Sequence, residues 1–117
     1  LYSCSNGSFD VVKFLIENYK HKIDLNSKDK FGMTPLHYAC KNGSLDIVKL
    51  LIENCHTEID LNSKNENGVT PFHLACESGN IELVEFMIEN SHINNKVIYL
   101  NETDDIFKDT AFHYACK

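Results

Sequence analysis

Gly32-Met33-Thr34-Pro35-Leu36-His37-Tyr38-Ala39-Cys40 returns almost unchanged as Gly68-Val69-Thr70-Pro71-Phe72-His73-Leu74-Ala75-Cys76. A weaker third copy reads Lys108-Asp109-Thr110-Ala111-Phe112-His113-Tyr114-Ala115-Cys116. His37 and His73 are 36 residues apart, and His73 and His113 are 40. Self-similarity at a fixed period of this size marks stacked supersecondary units, each burying its apolar face against its neighbours.

The stretch encodes a helix start. Thr34 supplies an N-cap hydroxyl, and Pro35 sits at the first helical position, where a missing N–H costs nothing. Leu36, Ala39 and Cys40 then fall on one face, with small residues where another helix must approach. Gly43 closes the helix, and Leu45 to Glu53 forms a second one. The unit is a helix, a turn, a helix and a returning loop. This predicts an all-α solenoid of helix-turn-helix repeats joined by hairpin-like loops.

Thr34-Pro35-Leu36-His37-Tyr38-Ala39 matches the Thr-Pro-Leu-His-x-Ala signature of the ankyrin repeat, and the copy at Thr70 differs only by Phe72. With the outer-helix opening and the Asp-Leu-Asn returning segment, the resemblance covers essentially the whole chain. Against the family period of about 33 residues, the surplus falls in the loops Tyr19 to Lys22 and Cys55 to Glu58, and the loop from Ser91 to Val97 is longer still. Insertion in loops is thermodynamically mild. The expected organisation is one repeat domain over 1–117, with a partial repeat at 1–25, repeats at 26–61 and 62–100, and a partial repeat at 101–117. Leu1 aligns with His37 and Lys117 with Lys41, so the chain reads as a piece of a longer array.

Three further expectations concern the outer helices and the tips. Asp10, Lys13 and Glu17 recur as Asp46, Lys49, Glu53 and as Glu82, Glu85, Glu89. Each trio forms one polar stripe on a helix otherwise apolar nearly all round, which predicts outer helices wedged between neighbours. The acidic third stripe is either plain solvation or an interaction patch. Asn18, Asn54 and Asn90 stand where the family usually has Gly soon afterwards, and Asn tolerates the left-handed conformation that closes a helix. The tips Asp29-Lys30-Phe31-Gly32 and Asn65-Glu66-Asn67-Gly68 need Gly at positive φ. In the corresponding Asp105-Ile106-Phe107-Lys108, Lys108 replaces that Gly and Ala111 replaces the helix-opening Pro, so this last hairpin departs from the pattern.

Composition narrows the function classes. A net charge of −6 with 11 basic residues, all lysine, disfavours a nucleic-acid surface, where Arg forks and basic stripes dominate. No apolar run approaches a membrane span, and no secretory leader is visible. Cys4, Cys40, Cys76 and Cys116 take equivalent places in successive copies, with Cys55 apart. Helices stacked about 8–10 Å apart hold such pairs beyond disulfide reach. They read as small buried hydrophobes in a reducing compartment, the cytoplasm. The glycosylation-like triplets at Asn6, Asn42 and Asn101 are then chance matches.

His37 with Cys40, His73 with Cys76 and His113 with Cys116 each form His-x-x-Cys, whose side chains are zinc ligands. A ladder of identical pairs does not converge on one ion, so a metal protein is the least favoured of three readings. No phosphate-cradling loop or nucleophile elbow is present, so no enzyme and no cofactor are expected. The resemblance implies instead that Thr34 and Pro35 with His37, Thr70 and Pro71 with His73, and Thr110 with His113 are structural, the imidazole bonding back to the Thr segment and tying adjacent hairpins. It also implies a non-catalytic module that binds another protein through the hairpin tips and the exposed side of the first helices. Carried over by position, that face comprises Lys28, Lys30, Phe31, Met33 and Lys41 in one repeat. The next supplies Lys64, Glu66, Asn67, Val69 and Glu77, and the last Ile106, Phe107 and Asp109. Phe31, Met33, Val69, Ile106 and Phe107 are apolar where solvent is expected, so they either meet a partner or pack against neighbouring hairpins. A structural spacer within a longer array is the alternative of a different class.

Overall fold

The computed structural model describes residues 9–19, 22–55, 59–93, 96–98, 101–104 and 110–116. The helices are α1 (Phe9–Tyr19), α2 (Pro35–Lys41), α3 (Leu45–Cys55), α4 (Pro71–Ser78), α5 (Ile81–Glu89) and α6 (Ala111–Ala115). They form two layers. The inner helices α2, α4 and α6 stack in sequence, and the outer helices α1, α3 and α5 stack behind them. The all-α solenoid expectation is met, with one addition inside the long third loop. Residues His92–Ile93 (β1) and Lys96–Val97 (β2) pair antiparallel there, His92 opposite Val97.

Each inner helix starts as its sequence dictates. Thr34 and Thr70 are extended N-caps whose hydroxyls accept from the backbone N–H of His37 and His73, with Pro next in line. The main core runs between the layers. Ile47, Val48, Leu51 and Ile52 of α3 are fully buried, and each such side chain is worth about 1.5–3 kcal/mol of transfer free energy.

The wedged outer helix is realised only by α3, where Asp46, Lys49, Glu53 and Asn54 are exposed and the apolar residues lie inside or at its edge. On α1, Val12 and Ile16 are buried while Val11, Phe14 and Leu15 are exposed. On α5 the opposite half is covered: Leu83 and Met87 are buried and Ile88 is exposed. The reason is packing geometry. An outer helix meets its predecessor on one apolar half and its successor on the other, and among the described residues only α3 has an outer helix on both sides.

The helix-ending asparagines also differ from expectation. Asn90 has φ −104°, outside the left-handed region, and Asn18 and Asn54 lie within α1 and α3. They close their helices with side chains instead. Asn18 Nδ2 donates to the Phe14 carbonyl (2.9 Å), Asn54 to Leu50 (3.1 Å) and Asn90 to Phe86 (2.8 Å). The carboxamide adds a second donor to the carbonyl four residues back, which at Phe86 also accepts the Asn90 backbone N–H (3.0 Å).

Hydrogen bonds spanning one period lock the repeats together. Asn26 Oδ1 accepts from the Asp60 N–H (2.7 Å), the Phe31 carbonyl from the Glu66 N–H (3.1 Å) and the Gly43 carbonyl from Asn80 Nδ2 (2.8 Å). The tips approach so closely that Gly32, at φ 77°, has no room for a side chain: a Cβ would lie 2.7 Å from the Glu66 nitrogen. Gly79 has the same handedness (φ 78°) but nothing within 4 Å. Gly79→Ala should therefore cost only the backbone penalty of about 1–2 kcal/mol, whereas Gly32→Ala must also push two hairpins apart. Thermal unfolding of the two variants is expected to show the larger loss for Gly32→Ala; equal losses would contradict the close approach of the tips.

Candidate functional site

The hairpin tips are built on a side-chain oxygen. Asp29 Oδ1 accepts from the N–H groups of Phe31 (2.9 Å) and Met33 (3.0 Å), and Asn65 Oδ1 does the same for Asn67 (2.8 Å) and Val69 (3.0 Å). Gly32 and Gly68 complete the turns at φ 77° and 75°. Both tips thus present the same backbone shape with different side chains.

Behind each tip lies the Thr–His unit. The Thr34 N–H donates to His37 Nδ1 (3.1 Å), which makes Nδ1 the acceptor and leaves Nε2 to donate to the Val69 carbonyl (2.8 Å) in the next hairpin. The Thr70 N–H and the Thr110 N–H bond in the same way to Nδ1 of His73 and His113, both at 3.0 Å. Edge-to-face packing of His73 on Tyr114, centroids 4.8 Å apart, adds a contact to the last inner helix. Both nitrogens of His37 are engaged inside the fold, so they are not offered to an ion. Among the described residues no group of three or more metal-ligating side chains comes together.

The Asp29 carboxylate has a second partner, the Tyr38 hydroxyl, which donates to Oδ2. That bond, with help from the Met33 and Phe31 amides, holds the Asp29 carboxyl below its usual range and pushes the Tyr38 phenol up. Tyr114 makes the same bond to Asp104 (2.7 Å). Asp104 therefore takes the place of Asp29, where spacing from the second repeat's His had suggested Asp105, and the extra residue of the last repeat falls between Asp104 and Thr110. In the middle repeat Asn65 and Leu74 replace this pair, and Asn65 Nδ2 turns instead to the Met33 sulfur (3.4 Å).

Between the tips and the inner helices lies a groove of about 650 Å³. Seven of the expected face residues line it: Phe31, Met33 and Lys41 from one repeat, and Glu66, Asn67, Val69 and Glu77 from the next. Met33 (6% exposed) and Val69 (7%) are buried, against the expectation of solvent exposure. Their backbone amides close the tips, and the Met33 sulfur lies against Asn65 of the next tip. Phe31, at 49%, is the exposed apolar residue of the tip. Lys28, Lys30 and Lys64 are exposed but lie off the groove. Lys28 Nζ donates to the Lys64 carbonyl (2.9 Å), Lys64 pairs with Glu102 (3.0 Å) and Lys30 sits 5.2 Å from the Phe31 ring centre. Ile106, Phe107 and Asp109 lie outside the described residues.

Four lining residues escaped the sequence reading: Tyr38, Leu74, Tyr114 and Asn65. The first three hold the variable place in Thr-Pro-Leu-His-x-Ala, three residues before Lys41, Glu77 and Lys117, so helical spacing was the signal that could have found them. The cysteine ladder is uneven. Cys40 is buried, with its thiol pKa pushed up by desolvation, Cys76 is half-buried and Cys116 exposed; the side chains of Cys4 and Cys55 lie outside the described residues. Cys116 departs from the buried reading because no outer helix follows α6 among the described residues.

A family model described as ankyrin repeats, three copies, matches residues 1–64 and 55–117, so the chain belongs to the ankyrin-repeat family. Among curated proteins no relative matches it. Repeats of this family are generally protein–protein interaction modules and typically non-catalytic. No helix among the described residues is long and apolar enough to cross a membrane.

Burial holds the His37 imidazole below its ordinary pKa, although its bond to the Val69 carbonyl works the other way. The folded chain therefore refuses a proton that the unfolded chain accepts near the ordinary value of about 6.5. This contribution to stability is complete above that pH and is lost as pH falls below it. Denaturant midpoints measured between pH 7.5 and 5 are expected to fall with pH, and His37→Gln should be less stable at neutral pH but show a flatter profile. An unchanged slope in the variant would remove His37 as the source.

Proposed function

We propose that this ankyrin-repeat chain captures a partner protein in the groove between its hairpin tips and inner helices. The observation that carries the reading is Phe31. It stands half-exposed on a tip held by four backbone bonds, two to the Asp29 carboxylate and two between the Asp29 backbone and Met33 and Gly32. An aromatic side chain on a rigid backbone binds at little entropic cost, and aromatic residues are enriched in interface cores. Lys41, Glu66 and Glu77 surround it as charged positions with no ion pair among the described residues, the polar rim such an interface needs. Lys28, Lys30, Lys64 and Asn67 extend the same tip surface. The proposal includes residence in the cytoplasm, from the spacing of the equivalent cysteines, and service as a scaffold.

Phe31→Asp and Lys41→Glu change exposed side chains only, so their far-ultraviolet circular dichroism and melting temperature should match the parent chain. Immobilised parent chain is expected to retain a protein from a lysate of its source that Phe31→Asp retains poorly. Retention unaffected by either substitution would exclude this face; charged substitutions at Met33 or Val69 would be uninformative because they would disrupt the core.

A further inference from the structure

The middle of the groove differs chemically from its two sides. Asp29 with Tyr38 and Asp104 with Tyr114 close the space between tip and inner helix by a hydroxyl-to-carboxylate bond. Asn65 with Leu74 leaves that closure out, so the floor there is aliphatic, formed by Leu74 and Val69 and flanked by two tyrosines. Asn65 is already committed, its Oδ1 to the tip amides and its Nδ2 to the Met33 sulfur, and it offers little to an incoming polar group. The floor is dry chemistry.

Its rim is charged, and unevenly so. Glu66 stands on the tip and Glu77 on the inner helix of this same repeat, both exposed, while Lys41 occupies the place of Glu77 one repeat earlier. Inner helices stack about 8–10 Å apart, which corresponds to about three residues of an extended chain. A segment seated over Leu74 therefore has two carboxylates on that same repeat, while the lining lysine, Lys41, belongs to the repeat before. The chain's net charge of −6 adds a field of the same sign.

From this we infer that the groove selects an extended partner segment carrying a bulky aliphatic residue next to a lysine or arginine, the aliphatic side chain seated on Leu74 and Val69 and the cation between Glu66 and Glu77. The inference rests on the protein-binding reading of this face and adds the chemistry of what is bound. Charge supplies selection and the aliphatic seat supplies most of the affinity, because an exposed ion pair is weak.

The probes are short acetylated peptides with one central leucine flanked on both sides by lysine, by serine or by aspartate, titrated at low salt into the isotope-labelled 117-residue chain and followed by backbone amide shifts. The lysine-flanked peptide is expected to bind about two- to fivefold more tightly than the aspartate-flanked one, with shifts centred on Leu74 and Glu77. Glu77→Lys should abolish or invert that preference. Leu74 is 8% exposed, so Leu74→Tyr is paired with Asn65→Asp to restore the couple found in the flanking repeats. With a melting temperature matching the parent chain, the double variant should fill the seat and weaken the lysine-flanked peptide about tenfold. Equal binding of the three peptides, or an indifferent double variant, would overturn the selection while leaving the groove a binding face. Absence of shifts at the groove residues with every peptide would overturn the binding reading as well.

Discussion

The bond from His37 Nε2 to the Val69 carbonyl is the joint on which the architecture turns. That carbonyl also accepts the Asn65 N–H across its own tip (3.0 Å), so the imidazole fills its second acceptor direction and joins the tip to the repeat before it. The other imidazole nitrogen is fixed by the Thr34 amide. One side chain therefore begins a helix, selects its own tautomer and sets the distance to the next repeat. The same Thr–His unit recurs at Thr70 and Thr110, so the helix start and the ring orientation are set in the same way in each copy.

Register at the tips follows from that spacing. Once the hairpins are pinned, Phe31 and Glu66 meet backbone to backbone, Gly32 has to be glycine, and Asn26 reaches the Asp60 amide. These bonds consume the polar backbone of the inner surface and leave side chains to define what the groove presents. Rigid tips with variable side chains let recognition change while the scaffold stays the same. The exchange of Asp29 and Tyr38 for Asn65 and Leu74 alters the groove floor without altering the tip fold, because Asp and Asn offer the same Oδ1 to the turn amides.

The outer layer obeys a different constraint. Its helices bury apolar halves against predecessor and successor, and only α3 finds both among the described residues. The polar residues Asp46, Lys49, Glu53 and Asn54 are thus what an outer helix exposes in the middle of a stack, whereas α1 and α5 expose apolar residues as well. Asn18, Asn54 and Asn90 end these helices without glycine by lending a carboxamide donor to the preceding turn.

The sequence by itself determined the repeat, the two-helix unit, the Thr-Pro helix start and the glycine-bearing tips, because each depends on residues within a few positions of one another and recurs at a visible period. It also grouped Phe31, Lys41, Glu66 and Glu77, which line one groove, since their shared side is set by position within the unit. What only the tertiary structure decided is where each side chain goes once a neighbouring repeat is in place. Met33 is buried with its sulfur against Asn65 of the next tip, Val69 is buried at the groove floor, Tyr38 and Leu74 line the groove, and Asp104 receives the Tyr114 hydroxyl. The Met33–Asn65 contact joins residues 32 apart along the chain, and the choice of Asp104 turns on where one extra residue falls in the last repeat. Neither is marked by local spacing, whereas Tyr38 and Leu74 hold a position that helical spacing does mark.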